Sequence, residues 1–480
     1  MAFAITQSCC NDASCLSVCP VNCIHPTPGE PDFGRTELLH IDPKACIDCG
    51  ACADTCPVDA ISPVAMLTPE QAGYAAINAD YFSNSADSAR QNWDAPVFPP
   101  AGLGRLGRFR VAIVGTGPAA CYAAEELLRI TDARITFYDR LNVPGGLARF
   151  GVAPDHLATR QVGQHFQRLF RNPRVSLRLG VEVGAQLSHE QLRRKFDAVI
   201  LAVGASGDRE LGVPGEQLPG VLSARTFVNW YNGNPELAAG DLDLAGVERV
   251  VIVGNGNVAL DAARILTTDP AHLARTAIAP PALDVLRNSA VREVVVLGRR
   301  GPQHAAFTRG ECLALQHIPG LELIVEGGPG VAATIAGART PASASALQGV
   351  PVRALDWRDA PAPGRRIVFS FHRPPQGFRL RGSDIEVALD DGSSIVAGLV
   401  LRAIGYRGRP QPGLPYDEAT GTITNLGGRV IDADGMPLPA TYVVGWAKRG
   451  PTGGIGANRS CATATVHALV EDLIDQSVPA

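Results

Sequence analysis

Nine of the twelve cysteines lie within the first 56 residues, and four of them follow a regular spacing. The run Cys46-Ile-Asp-Cys49-Gly-Ala-Cys52-Ala-Asp-Thr-Cys56-Pro has the pattern C-x2-C-x2-C-x3-C-P. In bacterial two-cluster proteins this spacing holds three irons of a cubane with its first three thiolates, and its fourth thiolate binds a second cluster. The spacing therefore predicts iron–sulfur clusters and one-electron chemistry.

An incomplete copy of this motif precedes it, with Asp12 where the second cysteine is expected. Exchange of the fourth cysteines between the copies predicts two sites. The four-thiolate site, expected to hold 4Fe-4S, consists of Cys19, Cys46, Cys49 and Cys52. The three-thiolate site consists of Cys9, Cys15 and Cys56. It holds either 3Fe-4S or 4Fe-4S with Asp12 or Cys10 as the fourth ligand, and the sequence leaves both open.

Zinc and disulfide bonds are the alternative uses of so many cysteines. Zinc ribbons use two C-x2-C pairs, without the third C-x2 step or the trailing Cys-Pro. Disulfides need an oxidising compartment, and the N-terminal Met-Ala-Phe-Ala-Ile-Thr-Gln has neither the basic nor the apolar region of a signal peptide. The pattern favours clusters and predicts a cytoplasmic location.

Length and charge indicate several packed units. The chain has 480 residues, of which 46% are hydrophobic. Residues 1–93 carry eleven Asp and Glu against three Lys and Arg, whereas the whole chain has a net charge of only −4. Such an acidic segment suits electrostatic docking within the chain, or simply solubility. We expect no nucleic-acid partner. We also expect no membrane span, because no apolar run approaches ~20 residues.

A first nucleotide fingerprint follows a Pro- and Gly-rich stretch. A predicted strand leads into Gly115-Thr-Gly117-Pro-Ala119-Ala, which has the pattern G-x-G-x-x-A. The glycines allow the backbone to approach a pyrophosphate at a helix N-terminus. The next predicted strand ends at Asp139, whose carboxylate is suited to a ribose hydroxyl. These features predict a dinucleotide site.

A second fingerprint differs from the first in its final charge. Gly254-Asn255-Gly256-Asn257-Val258-Ala is again G-x-G-x-x-A, but the partner strand ends in Arg299-Arg300. Paired guanidinium groups bind a 2'-phosphate, which a carboxylate would repel. Two dinucleotide sites in one chain predict that one cofactor reduces the other. The first site then suits FAD and the second suits NADP(H).

Together these motifs carry a family resemblance. Residues 115–120, 145–156, 254–261, 298–302 and 445–456 resemble the adrenodoxin-reductase family of ferredoxin–NADP reductases. The N-terminal part resembles seven-iron ferredoxins, and the whole resembles FprB-type fusions of the two. The resemblance implies an α+β two-cluster ferredoxin domain, followed by an α/β flavoprotein with two Rossmann-like dinucleotide-binding domains.

The expected domain division has the FAD-binding domain interrupted by the NADP-binding domain. Its boundaries are a ferredoxin domain at 1–93, a linker at 94–107, the FAD-binding domain at 108–206 and 395–480, and the NADP-binding domain at 207–394. The strand-like stretches ending at Gly204 and Gly405 are the expected crossings. Residues 327–350, rich in Gly, Ala, Pro and Ser, are predicted to be a flexible insertion.

The resemblance also implies roles for individual residues. The FAD site would contain Gly115, Gly117, Ala119, Asp139, Leu147, Val183, Trp446, Gly453, Gly454 and Ile455. The NADP site would contain Arg209, Asn255, Gly256, Asn257, Val258, Arg299, Arg300, Glu311 and Gly453. His156 and Glu311 match family residues that orient the hydride or relay protons, and are the expected catalytic pair.

The implied activity is that of a ferredoxin–NADP reductase. NADPH would transfer a hydride to FAD, and electrons would leave singly for the attached clusters and then for acceptors such as ferredoxins or cytochrome P450s. One alternative is an electron-transfer subunit similar to the small subunit of glutamate synthase, which predicts a stable complex with a catalytic chain. Another is an iron–sulfur redox sensor, which predicts that NADPH does not reduce the flavin.

Overall fold

The structure is a computed structural model, and it describes residues 2–83, 106–237, 242–339 and 342–475. The predicted end of the ferredoxin domain near residue 93 lies outside these ranges, as does most of the predicted linker at 94–107. Residues 2–83 contact the part of the chain that follows this gap directly, through hydrogen bonds of both backbone and side chains.

The N-terminal region pairs short strands from distant parts of its sequence. Phe3–Ile5 is antiparallel to Ile61–Pro63, and Ile24–His25 is antiparallel to His40–Ile41. A short helix, Ala51–Thr55, carries Cys52, and a longer one is Gly73–Ser83. A 3-10 turn at Leu16–Val18 precedes Cys19.

The helix Gly73–Ser83 joins these strand pairs through Asn78. The Asn78 Oδ1 atom accepts from the backbone N–H groups of Ile5 at 3.1 Å and Ile41 at 2.9 Å. Its Nδ2 atom donates to the carbonyls of Ile5 and Tyr74, both at 2.8 Å. Because so small a core buries little apolar surface, this buried amide has a large share in fixing the two strands that precede the cysteine motifs.

The first sheet carries the first fingerprint. From edge to edge it consists of Asn425–Leu426, Arg429–Ile431, Pro437–Val443, Ala198–Leu201, Arg110–Val114, Arg134–Asp139 and Val175–Leu179. The strands from Pro437–Val443 onward are parallel. Their apolar runs are covered on both faces, as parallel sheets require. The helices of this unit are Pro118–Ile130, Gly146–Phe150, Leu157–Phe170, His189–Arg193, Trp446–Arg449 and Ala457–Asp475.

The second sheet carries the second fingerprint and is parallel throughout. Its order is Val221–Ser223, Leu399–Arg402, Arg249–Val253, Glu293–Gly298, Arg365–Phe371, Leu321–Glu326 and Val352–Arg353. An antiparallel sheet of Pro375–Arg381, Asp384–Leu389 and Ser394–Ala397 packs on one face. The helices of this unit are Ala224–Tyr231, Asn257–Thr267, Pro270–Leu273, Pro280–Arg287, Arg309–Leu315 and Pro329–Ala336.

The crossings between these sheets are a pair of adjacent strands. Gly207–Asp208 leads out of the first sheet and is antiparallel to Tyr406–Arg407, which leads back. The return lies beyond the predicted boundary at 394/395, because Leu399–Arg402 still pairs within the second sheet. We retain the interrupted FAD-binding domain as a proposal, with the NADP-binding domain extended to about Arg402 and the second FAD-binding segment beginning after it.

The prediction that residues 327–350 form a flexible insertion is wrong for those of them that the structure describes. They form the helix Pro329–Ala336 and a 3-10 helix, Ser343–Leu347. Ile335 and Leu347 are buried in the core of the second unit. A few apolar side chains at packed positions are enough to order a segment whose composition indicates flexibility. Among the described residues, no helix combines the length and apolar character needed to cross a membrane.

Candidate functional site

The four cysteines of the four-thiolate site line one cavity. Cys19, Cys46, Cys49 and Cys52 share it with Phe3, Val21, Ile24 and Ile41, and with the further thiol Cys23. The Cys23 Sγ atom lies 3.5 Å from Cys19 Sγ. Hydrogen bonding to Cys23 lowers the pKa of Cys19 to about 6 and that of Cys46 to about 5. Burial raises the pKa of Cys52 to about 11, so the surroundings favour the thiolate, the form that binds iron, at Cys19 and Cys46.

The three-thiolate site is more deeply buried. Cys15 is buried, and burial raises the pKa of Cys9 and of Cys15. Backbone N–H groups point at the outer sulfurs, from Asn11 to Cys9 Sγ and from Ala60 to Cys56 Sγ, both at 3.3 Å. Amide-to-sulfur bonds of this kind stabilise the added charge of a reduced cluster.

The two candidate fourth ligands of this site are both engaged by the reductase part of the chain. Asp12 Oδ2 accepts from Arg459 Nη1 at 3.2 Å and from the Ser14 hydroxyl. Cys10 is only 5% exposed and packs in the apolar core of the first sheet. Its carbonyl accepts from Gly456 N at 2.6 Å.

Residues 7–12 form a continuous seam with the reductase. Beyond the contacts of Cys10 and Asp12, Gln7 Nε2 lies 3.4 Å from His156 Nε2, and Thr159 Oγ1 donates to the Ser8 carbonyl at 3.1 Å. A Cβ atom at Gly456 would collide with the backbone of Asn11 and Asp12. We name residues 7–12 together with Gly456 and Arg459 the docking seam. It brings the loop that carries Cys9 against the first unit.

The first fingerprint forms a tight turn beside the first sheet. Gly115 has φ +106°, and a Cβ atom there would collide with the carbonyl of Ala202. The helix Pro118–Ile130 begins without a side-chain cap. An uncapped helix N-terminus beside a tight glycine turn is suited to a diphosphate.

Asp139 is occupied within the fingerprint itself. Its Oδ2 atom accepts from the backbone N–H of Thr116 at 2.9 Å and also from the Thr116 hydroxyl, and its Oδ1 atom accepts from Leu141 N at 2.9 Å. The carboxylate therefore orders the glycine loop, and its contact with a ribose stays a prediction.

The second fingerprint repeats this geometry. Gly254 has φ +111°, and a Cβ atom there would collide with the carbonyl of Ala403, at the end of the neighbouring strand. The helix Asn257–Thr267 likewise begins without a side-chain cap. Arg299 and Arg300 follow the next strand and are exposed. Their contact with a 2'-phosphate stays a prediction.

The remaining predicted residues lie outside the two fingerprints. The Arg209 backbone N–H donates to Gly405 O at 3.2 Å, and Trp446 packs against Tyr406 with ring centroids 5.4 Å apart. Gly453 lies close to the carbonyl of Gly34 in the ferredoxin domain. Leu147 lies in Gly146–Phe150, and Val183 bridges to Leu187.

The predicted catalytic pair surrounds a buried arginine that the sequence analysis missed. Arg264 Nη2 lies 2.9 Å from His156 Nε2, and Arg264 Nη1 lies 3.4 Å from Glu311 Oε2. Arg264 also bonds Asp155 at 2.6 Å and Asp261 at 2.7 Å. Burial, followed by Asp261, raises the pKa of Glu311. The only sequence signal was the spacing of Asp261 and Arg264, three residues apart on one helix.

Comparison with known proteins supports each part of this arrangement. The family model described as pyridine nucleotide-disulphide oxidoreductase matches residues 109–294, and the 4Fe-4S binding domain matches residues 39–62. A probable ferredoxin/ferredoxin–NADP reductase of Mycobacterium tuberculosis is 46% identical over 493 residues, covering 99% of this chain and 84% of the relative. The mitochondrial NADPH:adrenodoxin oxidoreductase of Homo sapiens is 38% identical over 392 residues, covering 76% and 79%.

A solved structure gives the same result. Mycobacterium tuberculosis FprA in complex with NADPH has a TM-score of 0.67 and 38% identity, covering 77% of this chain and 85% of that one. Two nucleotide-binding units joined to an iron–sulfur region define a flavoprotein oxidoreductase that uses NADP(H). The chain belongs to the family of ferredoxin/ferredoxin–NADP reductases. The predicted family, fold class and reductase activity are thereby confirmed.

Proposed function

We propose that this chain transfers electrons from NADPH, through FAD, to the clusters of its own ferredoxin domain and from there to external acceptors. One observation carries the proposal. Ala119 and Ile455, expected to line FAD, pack in one apolar cluster with Cys9 and Cys56, expected to bind iron. A donor site and an acceptor site in the same packed core suit electron transfer within the chain.

The first fingerprint fits FAD, because its turn is closed by Gly115 against Ala202 and its helix N-terminus is uncapped. The residues proposed to hold FAD are Gly115, Gly117, Ala119, Asp139, Leu147, Val183, Trp446, Gly453, Gly454 and Ile455. When bound, FAD accepts a hydride and releases electrons singly.

The second fingerprint fits NADP(H) through the same turn geometry and the exposed arginine pair. The residues proposed to hold NADP(H) are Arg209, Asn255, Gly256, Asn257, Val258, Arg299, Arg300, Glu311 and Gly453. Bidentate contacts from Arg299 and Arg300 would discriminate NADP(H) from NAD(H).

His156 and Glu311 are the proposed catalytic pair. Their reactive atoms lie 4.0 Å apart and share Arg264 as a neighbour. The raised pKa of Glu311 makes this carboxyl easier to protonate than an exposed one, which suits a group that holds a proton for a redox centre. Arg264 is a positioning residue, since it joins the pair to Asp155 and Asp261.

From the contacts of the two thiolate sites we infer the order in which electrons pass through them. The three-thiolate site adjoins the docking seam and is therefore the entry for electrons. In the four-thiolate site Cys49 is exposed and the neighbouring Ile47 is 59% exposed, so this site is the exit. Acceptors such as ferredoxins or cytochrome P450s, in the cytoplasm, would dock there.

The two clusters are proposed to differ in nuclearity. The four-thiolate site has a full ligand set for 4Fe-4S. At the three-thiolate site, Asp12 is paired with Arg459 and Cys10 is packed against the reductase, which leaves Cys9, Cys15 and Cys56 as ligands and favours 3Fe-4S.

Rapid mixing with NADPH tests the proposal. The absorbance of the oxidised flavin should fall first and the cluster absorbance afterwards, and the isolated chain should reduce cytochrome c. A flavin that NADPH does not reduce would reject the proposal in favour of a sensor. A chain that reduces its flavin but needs a partner subunit for turnover would instead indicate an electron-transfer subunit.

A further inference from the structure

A loop of the ferredoxin domain reaches the second fingerprint. We name residues 26–39, between Ile24–His25 and His40–Ile41, the nucleotide-facing loop. Its beginning is held by Glu30, which accepts from Thr27 N at 2.8 Å and lies 2.7 Å from His25 Nδ1. Near its end, the carbonyl of Thr36 accepts from Asn11 Nδ2 at 2.7 Å. The loop is therefore ordered by contacts within its own domain.

Glu37 is the residue of this loop that reaches across the domain boundary. Its Oε1 atom accepts from Asn257 Nδ2 at 2.8 Å, and Thr308 also hydrogen-bonds to it. Asn257 is the first residue of the uncapped helix Asn257–Thr267, and its Oδ1 atom accepts from Thr308 N at 2.8 Å. A carboxylate thus lies beside the helix end that is proposed to receive the diphosphate of NADP(H).

The surroundings of Glu37 are acidic. Burial, followed by the charge of Glu311, raises the pKa of Glu37 to about 8, although Thr308 and Asn257 oppose the shift and Asp261 adds to it. Tyr74, whose charged form would also interact with Glu37 and Glu311, is 4% exposed. Its hydroxyl lies against Gly310 and has no hydrogen-bond partner among the described residues. The docked arrangement therefore buries the Glu37 carboxyl among acidic side chains and leaves the Tyr74 hydroxyl without a partner among the described residues.

We propose that Glu37 is an affinity-determining residue of the NADP(H) site, supplied by the ferredoxin domain, and that its ionised carboxylate opposes the dinucleotide diphosphate. The inference rests on the proposed assignment of residues 255–258 to that diphosphate. Two anionic groups at one helix end repel each other. By linkage, NADP(H) binding and the seated position of the nucleotide-facing loop then weaken each other equally.

Above the pKa of Glu37 of about 8, where its carboxylate is ionised, this coupling would assist turnover. After reduction of the flavin, NADP⁺ has to leave before the next NADPH binds, and a seated ferredoxin domain would lower its affinity. Arg299 and Arg300 follow the strand Glu293–Gly298, whereas Glu37 contacts Asn257 at the start of the helix Asn257–Thr267, so we expect the carboxylate to act on the diphosphate and not on the 2'-phosphate. The effect is therefore specific to ligands that carry the diphosphate.

The test is NADP⁺ binding to the full-length holoenzyme at pH 9, above the pKa of about 8, followed by the flavin difference spectrum. Glu37→Gln should bind NADP⁺ about tenfold more tightly than the wild type. Glu37→Asp, which keeps the charge, should bind like the wild type. Glu70→Gln removes one charge from an exposed position of the same domain and should leave the affinity unchanged.

A second ligand separates a local effect from a general one. 2'-AMP carries the phosphate that Arg299 and Arg300 are proposed to bind but has no diphosphate, so its affinity should be equal in wild type and Glu37→Gln. Unchanged or weaker NADP⁺ binding by Glu37→Gln overturns the inference, as does an equal gain for Glu70→Gln or for 2'-AMP. Failure of the wild type to bind NADP⁺ would instead overturn the proposed function.

Discussion

The two thiolate sites of the ferredoxin domain differ in what surrounds them. The incomplete, three-thiolate site adjoins the docking seam, where Cys10 and Asp12 contact Gly456 and Arg459. The complete, four-thiolate site has an exposed ligand, Cys49, and an exposed apolar neighbour. The difference shows that the missing cysteine of the first motif lies at an internal interface, where Asp12 has become a docking residue. The complete motif has an exposed ligand, and it is there that external acceptors are proposed to dock.

Loss of the four-thiolate site, the proposed exit for electrons, should have the largest effect on electron transfer to acceptors. Cys52→Ser removes a ligand of the four-thiolate site, so cytochrome c reduction should fall by about tenfold or more. Iron content should fall from about seven to about three per chain if the proposed cluster types hold. NADPH should still reduce the flavin at the wild-type rate, as measured by stopped-flow absorbance.

Cys23→Ser is the matched control for that variant, since Cys23 lines the same cavity but is not a proposed ligand. It should keep full iron content. Equal iron loss in both variants would mean that Cys23 is itself a ligand and that the assignment of the site is wrong.

Obstruction of the docking seam should have the next largest effect. In Gly456→Ala the new methyl group meets the backbone of Asn11 and Asp12, which is too rigid to move aside. We expect electron transfer from flavin to cluster to slow by about tenfold. The control Gly330→Ala adds a methyl group in open space on the helix Pro329–Ala336 and should leave the rate unchanged. Equal rates in Gly456→Ala and wild type would argue that electrons do not cross the seam.

Asn78 supports both thiolate sites and should affect them together. Asn78→Ala leaves the buried N–H groups of Ile5 and Ile41 without their acceptor, which should cost about 3 kcal/mol of ferredoxin-domain stability. Thermal unfolding followed by cluster absorbance should show both clusters lost in one transition at lower temperature. Ser83→Ala, in the same helix but exposed, is the control. Separate loss of one cluster would show that the domain is not one cooperative unit.

Replacement of Arg459 should have the smallest effect, a shift in reduction potential that is confined to one of the two thiolate sites. Arg459→Ala removes a cation beside the three-thiolate site. Because a positive charge favours the reduced cluster, the potential of that site should fall on the order of tens of millivolts, while the potential of the four-thiolate site stays unchanged. Redox titration followed by EPR measures both. A shift confined to the four-thiolate signal would contradict the assignment.

Much of this architecture could be predicted from local spacing. Cluster ligands and glycine fingerprints follow fixed intervals, because the chemistry of a cubane or a diphosphate imposes them on a short segment. The structure places Gly115 and Gly254 in equivalent turns, as that reasoning requires.

The contacts that the sequence analysis missed join distant segments. Glu37 meets Asn257 across 220 positions, and Arg264 joins Asp155 and Glu311. Nothing in the local pattern around Glu37 or Gly456 indicates a partner, because each acts through a surface that forms only when the domains pack. Composition failed for the same reason at residues 327–350, where tertiary burial of Ile335 and Leu347 outweighs a flexible composition.

Electrons are proposed to enter the ferredoxin domain at the three-thiolate site and to leave it at the four-thiolate site. Freeze-quench EPR after mixing the full-length holoenzyme with NADPH tests this order directly. The signal of the oxidised three-thiolate cluster should disappear before that of the reduced four-thiolate cluster appears, and Cys56→Ser should slow the second step while flavin reduction continues. Reduction of the four-thiolate cluster first, or at an undiminished rate in Cys56→Ser, would contradict this order of electron transfer.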